Sequence, residues 1–209
     1  MANIKPQDLG FNLVINEIES GENASGRKWA RSLVQIGPLP FGFTRLARVK
    51  DVKDEDKFTV ELILTKDQRT ALIDQLLPAA LKVAEAKGLK VTAKEAEATL
   101  RKKIKEVDEG SGVYKITTEQ RQAFRNEDGS PDFVTIKIIS ETGEELDKAY
   151  LENGSTGFVN FHLDATPAQT GKQVHFPFRL RAVKLLAPKY YEFDQGQSTS
   201  DFSAVDSNY

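Results

Sequence analysis

Asp56 to Gln68 reads DKFTVELILTKDQ. Phe58, Val60, Leu62 and Leu64 fall on alternate positions, the period of a half-buried strand. At Thr65 the pattern changes. Threonine is a favoured N-cap, and beyond it Leu72, Leu76, Ala80, Val83 and Ala84 follow helical spacing as far as Lys87. Strand gives way to helix at one residue, and the fold depends on which character governs the rest of the chain.

Outward from this junction the helical part is short. Pro78 lies inside the first helical pattern and predicts a break or kink near Leu77. Gly88 closes that segment. Thr92 with Glu95 three residues on is a capping-box pattern, opening a second helix over Ala93–Val107 that ends at Gly110. Helix is thus confined to an insertion at about 66–108. On either side the chain reads as sheet. Phe11, Leu13 and Ile15 alternate with Asn12, Val14 and Asn16. Gly21, Gly26 and IGPLPFGF (36–43) punctuate as turns. Strands are expected at 112–116, over DFVTIKIIS (132–140), over GFVNFHL (157–163) and over 173–186, with an Asp-Gly turn in 126–130. Pro177 marks an edge position or a bulge in the last of these. Six or seven strands with one helical insertion predict a mainly β fold, a small barrel. They argue against a parallel sheet in which strands and helices alternate.

The formal charge of −2 over 209 residues hides an asymmetry. Residues 192–209, EFDQGQSTSDFSAVDSNY, hold four acids and no base, with little to bury; they predict a disordered acidic tail. Residues 1–191 are left with 27 acids against 29 bases. With no cysteine, disulfides and thiolate chemistry are excluded, which fits a reducing compartment. No stretch has the ~18 apolar residues of a membrane helix, and the N-terminus lacks the pattern of a secretory signal.

Two acid-free runs stand out. Residues 23–50 carry Arg27, Lys28, Arg31, Arg45, Arg48 and Lys50, interleaved with Trp29 (the only tryptophan), Phe41 and Phe43. Residues 165–191 carry Lys172, Arg179, Arg181, Lys184 and Lys189. A groove for single-stranded nucleic acid needs cations along the backbone and flat side chains under the bases, and these runs supply both. The aromatics also suit a barrel core, and Phe176 and Phe178 are assigned to it. Candidate phosphate contacts are Lys28, Arg31, Arg45, Arg48, Lys50, Arg179 and Arg181. Candidate stacking residues are Trp29, Phe41 and Phe43, with Tyr150 and Phe158 as outside candidates. Arg101, Lys102, Lys103 and Lys105 alternate with acids and read as a solvated helix face.

Signs of catalysis are few. His162 and His175 are the only histidines, set thirteen residues apart without cysteine, a poor metal site. There is no phosphate-binding loop, nucleophile elbow or H-E-x-x-H. NEDGSPD (126–132) lacks calcium-loop spacing and reads as a turn. No metal, cofactor or catalytic residue is assigned.

Taken in order, the basic loop, DKFTVELILTK (56–66), the DGSPD turn, GFVNFHLDA, FRLRAVKLL (178–186) and the acidic tail resemble the bacteriophage single-stranded DNA-binding proteins of the podovirus type. The resemblance spans roughly residues 10–209. It implies an OB-like five-stranded β-barrel with additional strands over residues 1–191, interrupted by the helical insertion, and a C-terminal tail over 192–209. It implies binding of single-stranded DNA without sequence specificity, coating and protecting it during phage DNA replication, recombination and repair in the cytoplasm of an infected host. The tail, through Asp201, Phe202, Asp206 and Tyr209, would lie near the groove and, once displaced by DNA, recruit phage DNA polymerase and helicase-primase. A homodimer is compatible with it. Four acids and a terminal Tyr make a weaker tail than the family's usual one. The rival readings are a phage structural or assembly protein, with the aromatics as a protein interface, and a metal-dependent nuclease. The second lacks the compact Asp, Glu and His cluster it needs.

Overall fold

The computed structural model describes residues 6–53, 55–168 and 173–191. The strands are β1 (Asn12–Glu22), β2 (Lys28–Arg45), β3 (Lys57–Thr65), β4 (Ile104–Glu106), β5 (Val113–Arg121), β6 (Ala123–Arg125), β7 (Pro131–Phe133), β8 (Lys137–Ile139), β9 (Glu145–Leu146), β10 (Thr156–Asp164), β11 (Thr166–Pro167), β12 (Val174–His175) and β13 (Phe178–Ala187). Two helices, α1 (Lys66–Ala86) and α2 (Ala93–Lys103), lie between β3 and β4.

Five strands make the barrel. β2 pairs antiparallel with β3 and with β10, β3 with β5, and β10 with β13. The ring closes where β13 meets β5 in parallel, Arg179 opposite Glu119. The third barrel strand in chain order thus joins the fifth, which is the strand order of an OB-type Greek-key barrel. The closing seam is short because both edges are shared. β4 occupies the edge of β5 at Tyr114–Ile116, and β8 occupies the edge of β13 at Ala182–Lys184.

Alternation fills the interior. Phe58, Val60, Leu62 and Leu64 of β3, Val159, Phe161 and Leu163 of β10, and Phe178, Leu180 and Leu185 of β13 are all buried. α1 lays Leu72, Ile73, Leu76, Ala80 and Val83 on the same core. Both helices start as their sequences predict. Thr65 with Gln68, and Thr92 with Glu95, form reciprocal capping boxes, each cap contributing about 1 kcal/mol.

Five expectations are corrected. α1 continues through Pro78. Leu76 before it and Ala79, Ala80 and Val83 after it are buried in one core, so packing keeps both turns in one unbroken helix despite the missing hydrogen bond. α2 ends at Lys103, because Ile104 is drawn onto β5 opposite Ile116 and buried there. IGPLPFGF is no turn. It lies inside β2, whose 18 residues serve β1 at one end, β3 at the other and β10 along most of its length. The expected strand over 132–140 is split into β7 and β8, and that over 173–186 is interrupted at Phe176–Pro177, where a residue without an N–H ends β12.

Candidate functional site

Barrel registers place the candidate residues on the outer surface. Cross-strand partners share a face, so one outward row can be followed around the barrel. Arg45 of β2 pairs with Thr59, Thr59 with Glu119, Glu119 with Arg179, Arg179 with His162, and His162 with Leu33. The row leaves β2 at Arg45 and returns to the same strand at Leu33. From end to end the row crosses roughly 24 Å around the barrel at about 4.8 Å per strand spacing. Beside it lies the pair Lys57 and Arg121.

At the Leu33 end sits the first cluster. The Trp29 indole is 38% exposed and lies against Gly21, where a Cβ would come within 3.0 Å of the ring. Glycine at position 21 is what lets the ring lie flat. The Arg31 guanidinium stands 5.2 Å from the indole centroid and bonds Glu19 at 2.9 Å. Across β10, Arg179 reaches Asp164 at 3.2 Å, and Lys87 reaches the same carboxylate at 2.8 Å. Arg181 sits at a bulge of β13 and is exposed.

At the Arg45 end sits the second cluster. Phe43 is 52% exposed, two residues before Arg45 on the same strand. Arg45 faces Asp56 at 3.7 Å. Arg48 stacks 4.6 Å over the Phe133 ring and donates to the Val134 carbonyl oxygen at 2.8 Å. The buried Gln122 fixes this loop, accepting from the Val49 N–H and donating to the Ala47 carbonyl oxygen. The β6–β7 hairpin adds exposed Phe124 and Phe133.

Of the predicted contacts, Lys28, Trp29, Arg31, Phe43, Arg45, Arg48, Lys50, Arg179 and Arg181 all reach the surface. Phe41 does not. It is 1% exposed, with its ring against Gly157, and belongs to the core. The bulge between Phe41 and Thr44 turns Phe43 outward and keeps Phe41 inside. Tyr150 is exposed, 5.7 Å from the Lys148 ammonium, and Phe158 is half-buried opposite Lys184. Lys172 and the segment 192–209, with Asp201, Phe202, Asp206 and Tyr209, lie outside the described residues. Lys57, Arg121, Phe124 and Phe133 join the site unforeseen. The two phenylalanines flank the Asp-Gly turn, and a hairpin reading of that turn would have exposed them. Lys57 and Arg121 become neighbours only through register.

Five acids on this surface are committed, while Glu22, opposite Lys28, has no ion-pair partner among the described residues. Glu19, Asp56, Glu61, Glu119 and Asp164 each pair with a base. Lys28, Lys50, Arg121, Arg181 and Lys184 have no ion-pair partner among the described residues. The surface therefore keeps a cationic surplus. His162 reports it. Burial, then Arg31 and Arg181, push its imidazole down to about 4, against the weaker opposing pull of Glu19 and Asp164. Its folded value lies below the ordinary ~6.5. The stability of the neutral ring is therefore full above about pH 6.5 and is lost as pH falls towards 4. Solvent screening at this half-exposed group limits the loss to about 1 kcal/mol. Urea melts from pH 7 to 4 should show His162→Gln losing less stability than wild type; parallel curves would rule the effect out.

Among the described residues no three His, Asp or Glu side chains converge as a metal site, and no helix is long and apolar enough to cross a membrane. No protein-family model and no curated protein matches the chain. Among solved structures the chain is similar to the single-stranded DNA-binding protein from bacteriophage Enc34, at 16% identity and TM-score 0.48, over 90% of this chain and 99% of that one. It is also similar to gp2.5, a single-stranded DNA-binding protein encoded by bacteriophage T7, at 13% identity and TM-score 0.47, over 93% and 94%. The Enc34 protein in complex with single-stranded DNA gives 13% identity and TM-score 0.49, over 86% and 99%.

Proposed function

We propose that this chain binds single-stranded DNA without sequence specificity and without catalysis. The observation that carries the reading is the outward row from Arg45 to His162. It is bordered by unpaired cations and ends in exposed aromatics, Trp29 at one end and Phe43, Phe124 and Phe133 at the other. Such a surface attracts a phosphate backbone and offers π-faces to bases, each stacked base contributing about 1–3 kcal/mol. Nothing on it forms a fixed pattern of donors for base edges. Arg, Lys and Phe suit any sequence.

Coating and protecting DNA in phage replication, recombination and repair, within the cytoplasm of an infected host, is the role proposed for this binding. The segment 192–209, at −4 in side-chain charge, is proposed as a modest competitor for the same cations. Its Phe202 and Tyr209 are the proposed contacts to polymerase and helicase-primase. Self-association as a homodimer belongs to the same proposal.

The test is a titration with oligo-dT, followed through Trp29. Emission should quench on binding, and log affinity should fall with log salt at a slope of ~0.7 per phosphate neutralised. Oligo-dT and mixed sequences should bind within about tenfold of each other. Absence of binding at low salt, or a strong preference for one sequence, would overturn the reading and favour a protein interface on this face.

A further inference from the structure

We infer that the cleft between α2 and the β11–β12 hairpin is a second single-strand site, continuous with the barrel row, which holds the DNA as it leaves the barrel. The inference rests on the proposed function and extends it to a surface outside the OB barrel. The cleft has a volume of about 600 Å³, within the range of ligand sites. Lys90, Lys102 and Lys103 line it. None of the three has an ion-pair partner among the described residues. Its one acid, Glu95, is taken up by the helix cap, accepting from the Thr92 N–H at 2.8 Å and the Thr92 hydroxyl at 2.7 Å. Lysines at the end of a helix complement its dipole. That does not account for Lys90, which precedes the helix and faces the same cleft.

The walls are mixed in the way a nucleotide chain requires. Val91, partly exposed over the buried Val174 and Phe176, gives an apolar side for bases, and Thr99 and His175 give polar atoms for sugar and phosphate. Lysine binds phosphate as a point charge without demanding one geometry, which suits a strand that slides.

Lys103 joins cleft to row. Its ammonium stands 5.9 Å from the Phe178 ring at the barrel seam. Burial lowers its pKa, Glu119 raises it, and Lys57 lowers it, so it shares the field of the row's own residues. Pro177 lines the cleft and Arg179 belongs to the row. Two residues of extended chain separate them, roughly 7 Å. A strand crossing Arg179 therefore meets the cleft mouth next.

The experiment compares two oligonucleotides on the full chain: dT of about 8 residues, within the ~4–16 nucleotides an OB barrel covers, and dT of about 30. Lys90→Ala/Lys102→Ala removes two exposed cations, with Lys66→Ala/Lys82→Ala on α1 as the charge-matched control. The cleft variant should bind the long oligonucleotide about tenfold more weakly, with its salt slope reduced by about 1.4, and bind the short one as wild type does. The control should change neither. Unchanged binding of the long oligonucleotide overturns the inference. So does an equal loss on the short one, or competition by thymidine monophosphate as strong as that by the long strand. If wild type binds neither oligonucleotide, the single-strand function itself fails, a result distinct from failure of the cleft alone.

Discussion

Replacing Arg179 and Arg181 together by alanine should lower affinity for oligo-dT by on the order of a hundredfold and cut the salt slope by about 1.4, at two charge-assisted contacts of roughly 1.5 kcal/mol each. Arg179 occupies the centre of the outward row, where β13 closes on β5, and Arg181 stands two residues on along β13, at its bulge. Arg181 has no ion-pair partner among the described residues, so its charge is fully available. Arg179 shares Asp164 with Lys87. Its loss leaves that carboxylate paired, and both side chains are exposed, so the fold should be nearly unaffected. A melt confirming wild-type stability, together with affinity and salt slope unchanged, would remove this row from the DNA path.

The second large effect concerns stability. Gly157→Ala should destabilise the barrel by more than about 3 kcal/mol in urea unfolding. Gly157 lies on β10 between Leu39 of β2 and Leu185 of β13, next to register shifts on both sides. A Cβ there would overlap the Lys184 carbonyl oxygen and come within 2.9 Å of Phe41 Cζ. Neither neighbour can retreat. Lys184 is held between β10 and β8, and the Phe41 N–H donates to the Ser155 carbonyl oxygen at 2.7 Å. A loss under 1 kcal/mol would mean that the strands slide freely at this point. The same glycine explains why Phe41 is core: its ring fills the space that a side chain at 157 would otherwise take.

Much of this architecture is legible in residue order. DKFTVELIL announces its strand by alternation, and Thr65 and Thr92 announce their helices by hydroxyl caps, because both signals are local. The mainly β class follows from them. What escapes is set by distant partners. IGPLPFGF reads as a turn because its glycines and prolines are turn formers, yet β10 pairs alongside it and keeps it within one bulged strand. Ile104 leaves its helix because β5 offers an edge that the local sequence does not display: the offer exists only once Ile116 has been placed. Among the site residues, the acid-free run at 23–50 brought Trp29, Arg31, Phe43 and Arg48 to notice, and nearly all reach the surface. Phe41 and Phe43 look equivalent in sequence, and only a bulge distinguishes them. Lys57 and Arg121 sit in runs that contain acids and reveal nothing until strands register.

The seam between β5 and β13 rests on one pair, Arg179 opposite Glu119, with β4 and β8 sharing the edges on either side. Backbone amides there should exchange with solvent by local opening, well below the free energy of global unfolding. A strand bound across the row would bridge both sides of that joint, and only in the closed form. Occupancy would then slow exchange at the seam more than elsewhere, so that the barrel's least secured joint becomes its best protected one when DNA is bound.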